Sequence, residues 1–266
     1  MEPYDVGHGP GLETGHRITA MNTAAIEVRN LRKVYPGKVA VADVSFDVLP
    51  GEIFGVLGPN GAGKTTTVEC IAGLRTADGG QISVLGIDPQ ANPELLREHI
   101  GIQFQEMQLH DKITVREALT MFAAFHANPA NVDNLIAMLG LGEKADARFK
   151  TLSGGQKQRV SIALALIGKP TVAILDEMTT GLDPQARRDV WDAIRAVRDA
   201  GTTVILVTHF MEEAERLCDR LVLVDGGHII AEGTPANLIA ATPGARSLED
   251  VFVSLTGDRT SKHVFA

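Results

Sequence analysis

The chain has 266 residues, of which 44% are hydrophobic and 22% are charged, proportions that are ordinary for a globular protein and exclude a disordered or fibrous one. Its formal net charge of −8 argues against a protein that holds nucleic acid through its overall field, although a local basic patch is compatible with that charge. Two cysteines, Cys70 and Cys218, form no disulfide framework and no metal-ligand pair, so they favour a reducing cytoplasm.

The chain begins with a glycine-rich stretch that lacks the charged-then-apolar pattern of a secretory signal, so we expect a flexible N-terminal extension over residues 1–24. A larger domain is predicted over residues 25–235. Its first segments, AIEVRNL and VSFDV, alternate apolar and polar positions and predict strands at an exposed edge, with a turn at Pro36-Gly37 between them.

Three later segments are short and almost continuously apolar, which is typical of strands that are buried on both faces of a sheet. They are EIFGVLG at 52–58, TVAILD at 171–176 and TTVILVT at 202–208. Between the last two, Val190, Ile194 and Val197 recur at helical spacing, and Asp183 and Gly201 are boundary signals for that helix. Strand, helix and strand in this order predict parallel strands and an α/β fold.

The segment from about residue 107 to 168 differs from its flanks, because its apolar positions follow helical spacing and no strand is evident. We therefore predict an inserted helical subdomain, in which Thr114 and Glu117 have the spacing of a capping box. After it, LVLVDGGHIIAEG predicts a hairpin. Short helices are expected in PANLIAA and SLEDVFVSL, within a C-terminal helical extension over residues 236–266.

The segment GPNGAGKTT follows an apolar strand and precedes an apolar helix, the context in which G-x-x-x-x-G-K-[ST] cradles phosphates. Its glycines let backbone N–H groups point at phosphate oxygens, and the helix adds its positive end. Lys64 is expected at the β- and γ-phosphates and Thr65 at Mg²⁺; the alternative is a chance turn with a surface lysine. The predicted nucleotide ligands here are Gly58, Pro59, Asn60, Gly61, Ala62, Gly63, Lys64, Thr65 and Thr66.

The segment AILDE ends an apolar strand with two adjacent carboxylates, which must point in different directions. Asp176 is predicted to hold Mg²⁺, and Glu177 to polarise an attacking water. The alternative is that both carboxylates cap the following turn.

The segment LSGGQ, residues 152–156, precedes an apolar helix. Ser153 is a good N-cap, and the two glycines after it expose N–H groups at the positive end of the helix dipole. Taken alone, the segment could be no more than a cap. Because a strand that ends in Asp-Glu follows the helix, we interpret it as a second anion-binding helix start.

Together these segments resemble the ATP-binding cassette subunit of an ABC transporter, with GPNGAGKTT as Walker A, LSGGQ as the signature and VAILDE as Walker B. The resemblance extends from Ala25 to about Gly233. It implies ATP and Mg²⁺ as cofactors and an α/β fold, in which a P-loop NTPase core with a mixed sheet carries an antiparallel β subdomain and an inserted α-helical subdomain.

The resemblance also implies roles that the local pattern does not. Tyr35 stands where the family stacks an aromatic ring on adenine, and Gln105 where a glutamine touches Mg²⁺ and water. Asp183 stands in the D-loop and His209 at the switch histidine; by pattern alone, Tyr35 would be a strand aromatic and His209 a helix cap. The implied catalytic residues are Gln105, Glu177 and His209, the metal ligands are Thr65, Gln105 and Asp176, and the further nucleotide contacts are Tyr35, Ser153, Gly154, Gly155, Gln156 and Asp183.

In such cassettes two copies pack head to tail, so that each Walker A loop faces the partner's signature. TTGLDP and SLEDVFVSLTG further resemble the ATPases of ABC-2-type exporters, particularly the daunorubicin-resistance type, which serve separate membrane permeases. Apolar stretches such as IALALI are far shorter than the roughly 20 residues of a membrane span. The resemblance thus implies a peripheral subunit at the cytoplasmic face of the cell membrane that powers export of a drug-like or lipid-like substrate.

Two other functions are compatible with parts of the sequence. A soluble ABC ATPase acting on nucleic acid or ribosomes usually carries a second cassette or a long insertion, and neither is visible, so no nucleic-acid partner is predicted. A non-enzymatic docking module would not need Glu177.

One departure from the family is Met178, which stands where proline is usual and is expected to loosen the following turn.

Overall fold

The computed structural model describes residues 24–103 and 108–257, and within them nine strands form one mixed sheet. The strands are β1 (Ile26–Tyr35), β2 (Lys38–Val48), β3 (Ile53–Leu57), β4 (Gly79–Val84), β5 (Ile100–Gln103), β6 (Val172–Asp176), β7 (Thr203–Thr208), β8 (Arg220–Asp225) and β9 (His228–Gly233). Their order across the sheet is β4-β1-β2-β9-β8-β3-β7-β6-β5.

The helices that accompany the sheet are mostly short. They are α1 (Lys64–Ile71), α2 (Pro93–Arg97), α3 (Val115–Ala123), α4 (Val132–Met138), α5 (Gly154–Leu166), α6 (Pro184–Asp199), α7 (Met211–Leu217), α8 (Pro235–Ala241) and α9 (Leu248–Thr256). Two 3₁₀ turns lie at Gly142–Lys144 and Phe149–Thr151. No helix in the described ranges has the length and apolarity that a membrane crossing requires.

The centre of the sheet is parallel and buried on both faces, as the apolar runs predict. Every residue of β3, β6 and β7 is buried. Successive residues of β3 enter opposite cores, since Ile53 belongs to one apolar cluster and Phe54 to the other. The register pairs Leu57 with Thr208, and Asp176 with Val207, so the carboxyl ends of the three strands lie side by side.

The outer part of the sheet is antiparallel, which confirms the mixed sheet with an antiparallel β region. β1 pairs with β2 through a turn at Pro36-Gly37, and its other edge pairs with β4. The predicted hairpin is β8 and β9, which are antiparallel and turn at Gly226-Gly227. β1 alternates between buried and exposed residues along its first half, as expected for an edge region with one face against the core.

The part of the chain between residues 108 and 168 contains helices and no strand among the described elements, as predicted. The capping box at its first long helix is confirmed: the Thr114 hydroxyl accepts from the Glu117 N–H, and the Glu117 carboxylate accepts from the Thr114 N–H. The limits 25–235 for the main domain stay a prediction. The expected extension over residues 1–24 lies outside the described residues except for its last residue, and residues 258–266 at the other end of the chain also lie outside them.

Candidate functional site

The glycine-rich loop connects β3 to α1 and has a backbone that only glycine can follow at two points. Gly58 and Gly63 have φ angles of 153° and 105°. A Cβ on Gly58 would lie 2.1 Å from the Val224 carbonyl oxygen, and one on Gly63 would lie 2.3 Å from that of Ala40. The loop is therefore pressed against the backbones of β8 and β2, and its shape depends on both glycines.

Lys64 is the first residue of α1, and it is buried rather than at the surface, so the surface-lysine alternative is wrong. Its Nζ donates hydrogen bonds to the carbonyl oxygens of Gly58 and Pro59, at 2.8 and 3.0 Å. Burial lowers the pKa of Lys64, while the neighbouring carboxylates of Glu177 and Asp176 act to raise it. The ammonium group thus binds the carbonyl oxygens of its own loop and interacts electrostatically with two acidic side chains.

Asp176 ends β6 with a buried carboxylate that is only partly satisfied. Its Oδ2 accepts a long hydrogen bond from the Thr65 hydroxyl, at 3.4 Å, and its buried Oδ1 has no hydrogen-bond partner among the described residues. Burial raises the pKa of Asp176 to about 6, and the charge of Glu177 adds to the rise. This carboxylate does not cap the following turn; its free oxygen beside a hydroxyl fits a hard cation that prefers oxygen ligands.

Glu177 directly follows Asp176 and has an uncommon backbone conformation. Its φ of 50° is in the left-handed region, which is uncommon for a non-glycine residue and is typical of strained functional sites. Its Oε1 lies 3.0 Å from Nδ1 of His209, the residue after β7 and before the N-cap of α7. Phe210 holds the cap position of that helix, so the helix-cap alternative for His209 does not hold.

A cavity of about 320 Å³ lies over the loop and is lined by residues from three stretches of the chain. It is lined by Tyr35, Lys38, Ala40, Asn60, Gly61, Gly63, Lys64, Thr65, Thr66 and Glu177. The Arg75 guanidinium lies 5.4 Å from the centre of the Tyr35 ring, within cation–π range. Lys38 and Ala40 were not predicted as site residues. Their nearness to the site could be inferred only from their position at the start of β2, directly after the turn that follows Tyr35.

The LSGGQ segment does not line this cavity in the part of the chain that the structure describes. Ser153 is the N-cap of α5, as predicted: its hydroxyl accepts from the Gln156 N–H, and the Gln156 side chain accepts from the Ser153 N–H. Ser153 and Gly154 are exposed. The Asp183 carboxylate is the N-cap of α6 and accepts hydrogen bonds from the N–H groups of residues 185 and 186, and Gln105 lies outside the described residues.

Comparison with known proteins gives consistent results. The family model described as "ABC transporter" matches residues 41–180. Nod factor export ATP-binding protein I of Burkholderia pseudomallei strain 1710b is 45% identical over 234 residues, which are 86% of this chain and 77% of the relative. Among solved structures, an "ATP binding subunit of ABC transporter" has a TM-score of 0.76 at 29% identity, covering 88% of this chain and all of the other.

A second solved structure adds to the likeness in fold. It is a dimeric ATP-binding cassette in a post-hydrolysis state bound to ADP and Pi, with a TM-score of 0.69 at 24% identity, covering 79% of this chain and 98% of that one. At this level of identity the likeness concerns the fold alone.

Proposed function

The chain belongs to the ABC transporter family, and on that premise we propose that it binds and hydrolyses ATP to power an exporter whose permease is a separate membrane protein. The observation that carries this proposal is that one cavity is lined by a buried lysine, by Thr65, which donates to a half-satisfied aspartate, and by a glutamate paired with a histidine. The names of the relatives, which refer to export, support the direction of transport.

The loop and α1 supply the binding energy for the phosphates in this proposal. Lys64 exchanges the carbonyl oxygens of its own loop for phosphate oxygens, which are stronger acceptors because they are charged. The N-terminus of α1 adds its N–H groups and its partial positive charge. Tyr35, at the far side of the cavity, offers its ring to the adenine base.

Thr65 and Asp176 are the residues that would hold Mg²⁺, through the hydroxyl oxygen and the carboxylate. When bound, the ion would neutralise charge on the phosphates. Among the described residues no group of three or more His, Cys, Asp or Glu side chains could hold a metal by itself. That finding agrees with Mg²⁺ chemistry, in which one or two protein ligands act together with substrate phosphates and water.

Glu177 is the general base in this proposal. A carboxylate that acts as a base accepts hydrogen bonds, so in this proposal Nδ1 of His209 donates across the 3.0 Å contact. This bond orients the carboxylate, which accepts a proton from the attacking water. The left-handed turn at Glu177 separates its task from that of the adjacent Asp176.

A second copy of the chain supplies the signature in this proposal. Ser153 and Gly154 are exposed at the positive end of α5 and do not reach their own cavity, so we assign them to the ATP held by a partner. A two-fold arrangement completes both sites at once. To move such a dimer from 1% to 99% closed, ATP must favour the closed state by about 5.5 kcal/mol.

The test is a Glu177→Gln variant, which keeps the shape of the side chain and removes its basicity. We expect ATP hydrolysis to fall by about 100-fold or more, as loss of a general base does, while ATP binding survives and the mass from light scattering doubles with ATP. Glu143→Gln, at an exposed position in the helical region, is the matched control. Hydrolysis at the unaltered rate would contradict the role of Glu177, and a constant mass would contradict the dimer.

The permease and the peripheral location at the cytoplasmic face of the membrane need a separate experiment. Tagged protein is captured from detergent-solubilised membranes of its host, and its partners are identified by mass spectrometry. Recovery of a polytopic membrane protein supports the exporter and opens the question of whether its cargo is drug-like or lipid-like. Recovery of ribosomal or DNA-bound proteins without a membrane partner would favour a soluble ATPase instead.

A further inference from the structure

Glu213 of α7 is a fully buried carboxylate that the proposed mechanism does not use. Its Oε1 accepts two hydrogen bonds, from the hydroxyl of Thr179 at 2.9 Å and from Nε1 of Trp191 at 3.0 Å. Its Oε2 is also buried and has no hydrogen-bond partner among the described residues. A buried carboxylate with one unpaired oxygen is costly, so its presence calls for a reason beyond packing.

One of these two hydrogen bonds, from Thr179 to Glu213, connects the segments that carry the proposed catalytic pair. Thr179 follows Glu177 by two residues, and Glu213 follows His209 by four, in the first turn of α7. The contact between Glu177 and His209 and the bond between Thr179 and Glu213 therefore close a ring through two short stretches of chain. A ring of this size restricts how far Glu177 and His209 can move apart.

Helix α6 contacts the same segment at two places. Trp191 donates to Glu213, and the Arg187 guanidinium lies 5.1 Å from the centre of the Phe210 ring, in cation–π range. The Phe210 ring in turn packs on the His209 ring, with centroids 4.1 Å apart. Helix α6 thus contacts both the Glu213 carboxylate and Phe210, the aromatic residue next to His209.

We propose that Glu213 is a positioning residue, which holds Glu177 and His209 in contact by tying Thr179 and Trp191 to α7. The inference rests on the proposed function, because it assigns Glu213 to the hydrolysis step that Glu177 and His209 carry out. It concerns turnover rather than ATP binding, since none of the three bonded side chains lines the cavity over the loop.

The first test is Thr179→Val, which removes one hydroxyl and leaves the bond between Trp191 and Glu213. We expect kcat for ATP to fall by about 10- to 100-fold, the range that partners of functional groups typically show, with the Kd for ATP changed by less than about twofold. Thr203→Val is the matched control. Thr203 is also buried, and its hydroxyl accepts a 2.9 Å hydrogen bond from the Gly51 N–H. It is the first residue of β7 and so lies at the amino end of that strand, whereas Glu177 and His209 lie after the carboxyl ends of β6 and β7.

The second readout uses Trp191, which is the one tryptophan in the sequence. Glu213→Gln keeps an oxygen acceptor but places an amide nitrogen at the Oε2 position, and it should change the Trp191 emission and lower kcat without weakening ATP binding. If Thr179→Val turns over like the Thr203→Val control, the inference is wrong. A parallel loss of ATP binding and kcat would also overturn it, because a general collapse of the site would then explain both.

The outcome is separable from that of the proposed function. Should Glu177→Gln lose hydrolysis while Thr179→Val and Glu213→Gln keep it, only the positioning role of Glu213 fails. Should Glu177→Gln hydrolyse ATP normally, the proposed general base fails first, whatever the other variants do. The full-length chain is used for every variant.

Discussion

At the scale of single residues, Met178 shows how packing can replace a backbone constraint. It stands directly after Glu177, where the resemblance leads one to expect proline and where a looser turn was predicted. The side chain is fully buried and belongs to the apolar cluster that includes Val190 and Ile194 of α6. Burial of the side chain therefore fixes a turn that proline would fix through its ring.

Because Met178 is packed in the core, we expect its truncation to destabilise the protein strongly. Met178→Ala should lower the free energy of unfolding by about 2–5 kcal/mol, the cost of deleting a buried side chain of this size. The substitution should also lower the ATPase rate, because the space left by the deleted side chain lies next to Glu177. Met121→Ala, at an exposed position of α3, is the control and should change stability by less than about 0.5 kcal/mol in urea unfolding. Equal losses for the two variants would contradict the structural role of Met178.

At the scale of elements, the two helix starts at Ser153 and Ser247 are chemically alike but differ in their surroundings. Each serine caps its helix through a reciprocal capping box, with Gln156 as the partner in α5 and Asp250 in α9. Of the two helices, only α5 has glycines directly after its serine, and the first of them, Gly154, is exposed. If the two serines differ in function, the difference therefore does not come from capping, which both provide.

We expect Ser153→Ala and Ser247→Ala to destabilise the fold by similar amounts, about 1 kcal/mol each, because each removes one cap. The two variants should differ when ATP is added. Ser153→Ala, in a Glu177→Gln background, should weaken the ATP-dependent doubling of mass in light scattering, whereas Ser247→Ala should leave it unchanged. The same effect from both serines would show that helix stability, and not contact with a partner's nucleotide, explains the loss.

The elements that the sequence predicts well are those whose local pattern and surroundings agree. The interiors of strands β3, β6 and β7 are apolar because both of their faces are covered, and the residues at their carboxyl ends indicate the loop and Asp176. The strands β4 and β5 were not predicted. β4 begins with two glycines and depends on its pairing with β1, and β5 has only four residues beside β6.

Site residues are likewise predicted from the sequence when they lie in a local motif, and are missed when only tertiary packing brings them together. Lys64 and Asp176 lie within compact motifs, so their spacing is informative. Tyr35 reaches the cavity through the turn of a hairpin, and only the resemblance indicated it. Glu213 and Trp191 are 22 residues apart and meet because α6 and α7 pack together, which no spacing in the sequence encodes.

At the scale of the whole molecule, the acidic chain is proposed to bind an acidic ligand. The net charge of −8 opposes ATP at long range, whereas Lys64 and Lys38 at the cavity and the N-terminus of α1 favour it at short range. Asp176 and Glu177 lie within this group, so Lys64 alone does not make the site strongly positive. On the proposed function, we therefore expect a divalent cation to balance the charge when the triphosphate is bound.

The contribution of the cation to ATP binding can be measured as a shift in the midpoint of thermal unfolding. A ligand at 100 times its Kd stabilises the folded state by about 2.7 kcal/mol. For a chain of this size that corresponds to a rise of roughly 5–11 °C in the midpoint of thermal unfolding. We expect ATP with Mg²⁺ to produce such a rise in the unaltered protein, and ATP with a chelator to produce a smaller one.

Asp176→Asn should remove the difference between those two conditions, because the amide keeps the shape of the side chain but not its charge. Without ligand the variant should be as stable as the unaltered protein or more stable, since burial disfavours the Asp176 carboxylate and raises its pKa. Asp192→Asn, at an exposed position of α6, is the control and should keep the full response to Mg²⁺. A metal-dependent rise that survives in Asp176→Asn would place the cation elsewhere, and the assignment of Thr65 and Asp176 as its ligands would then be wrong.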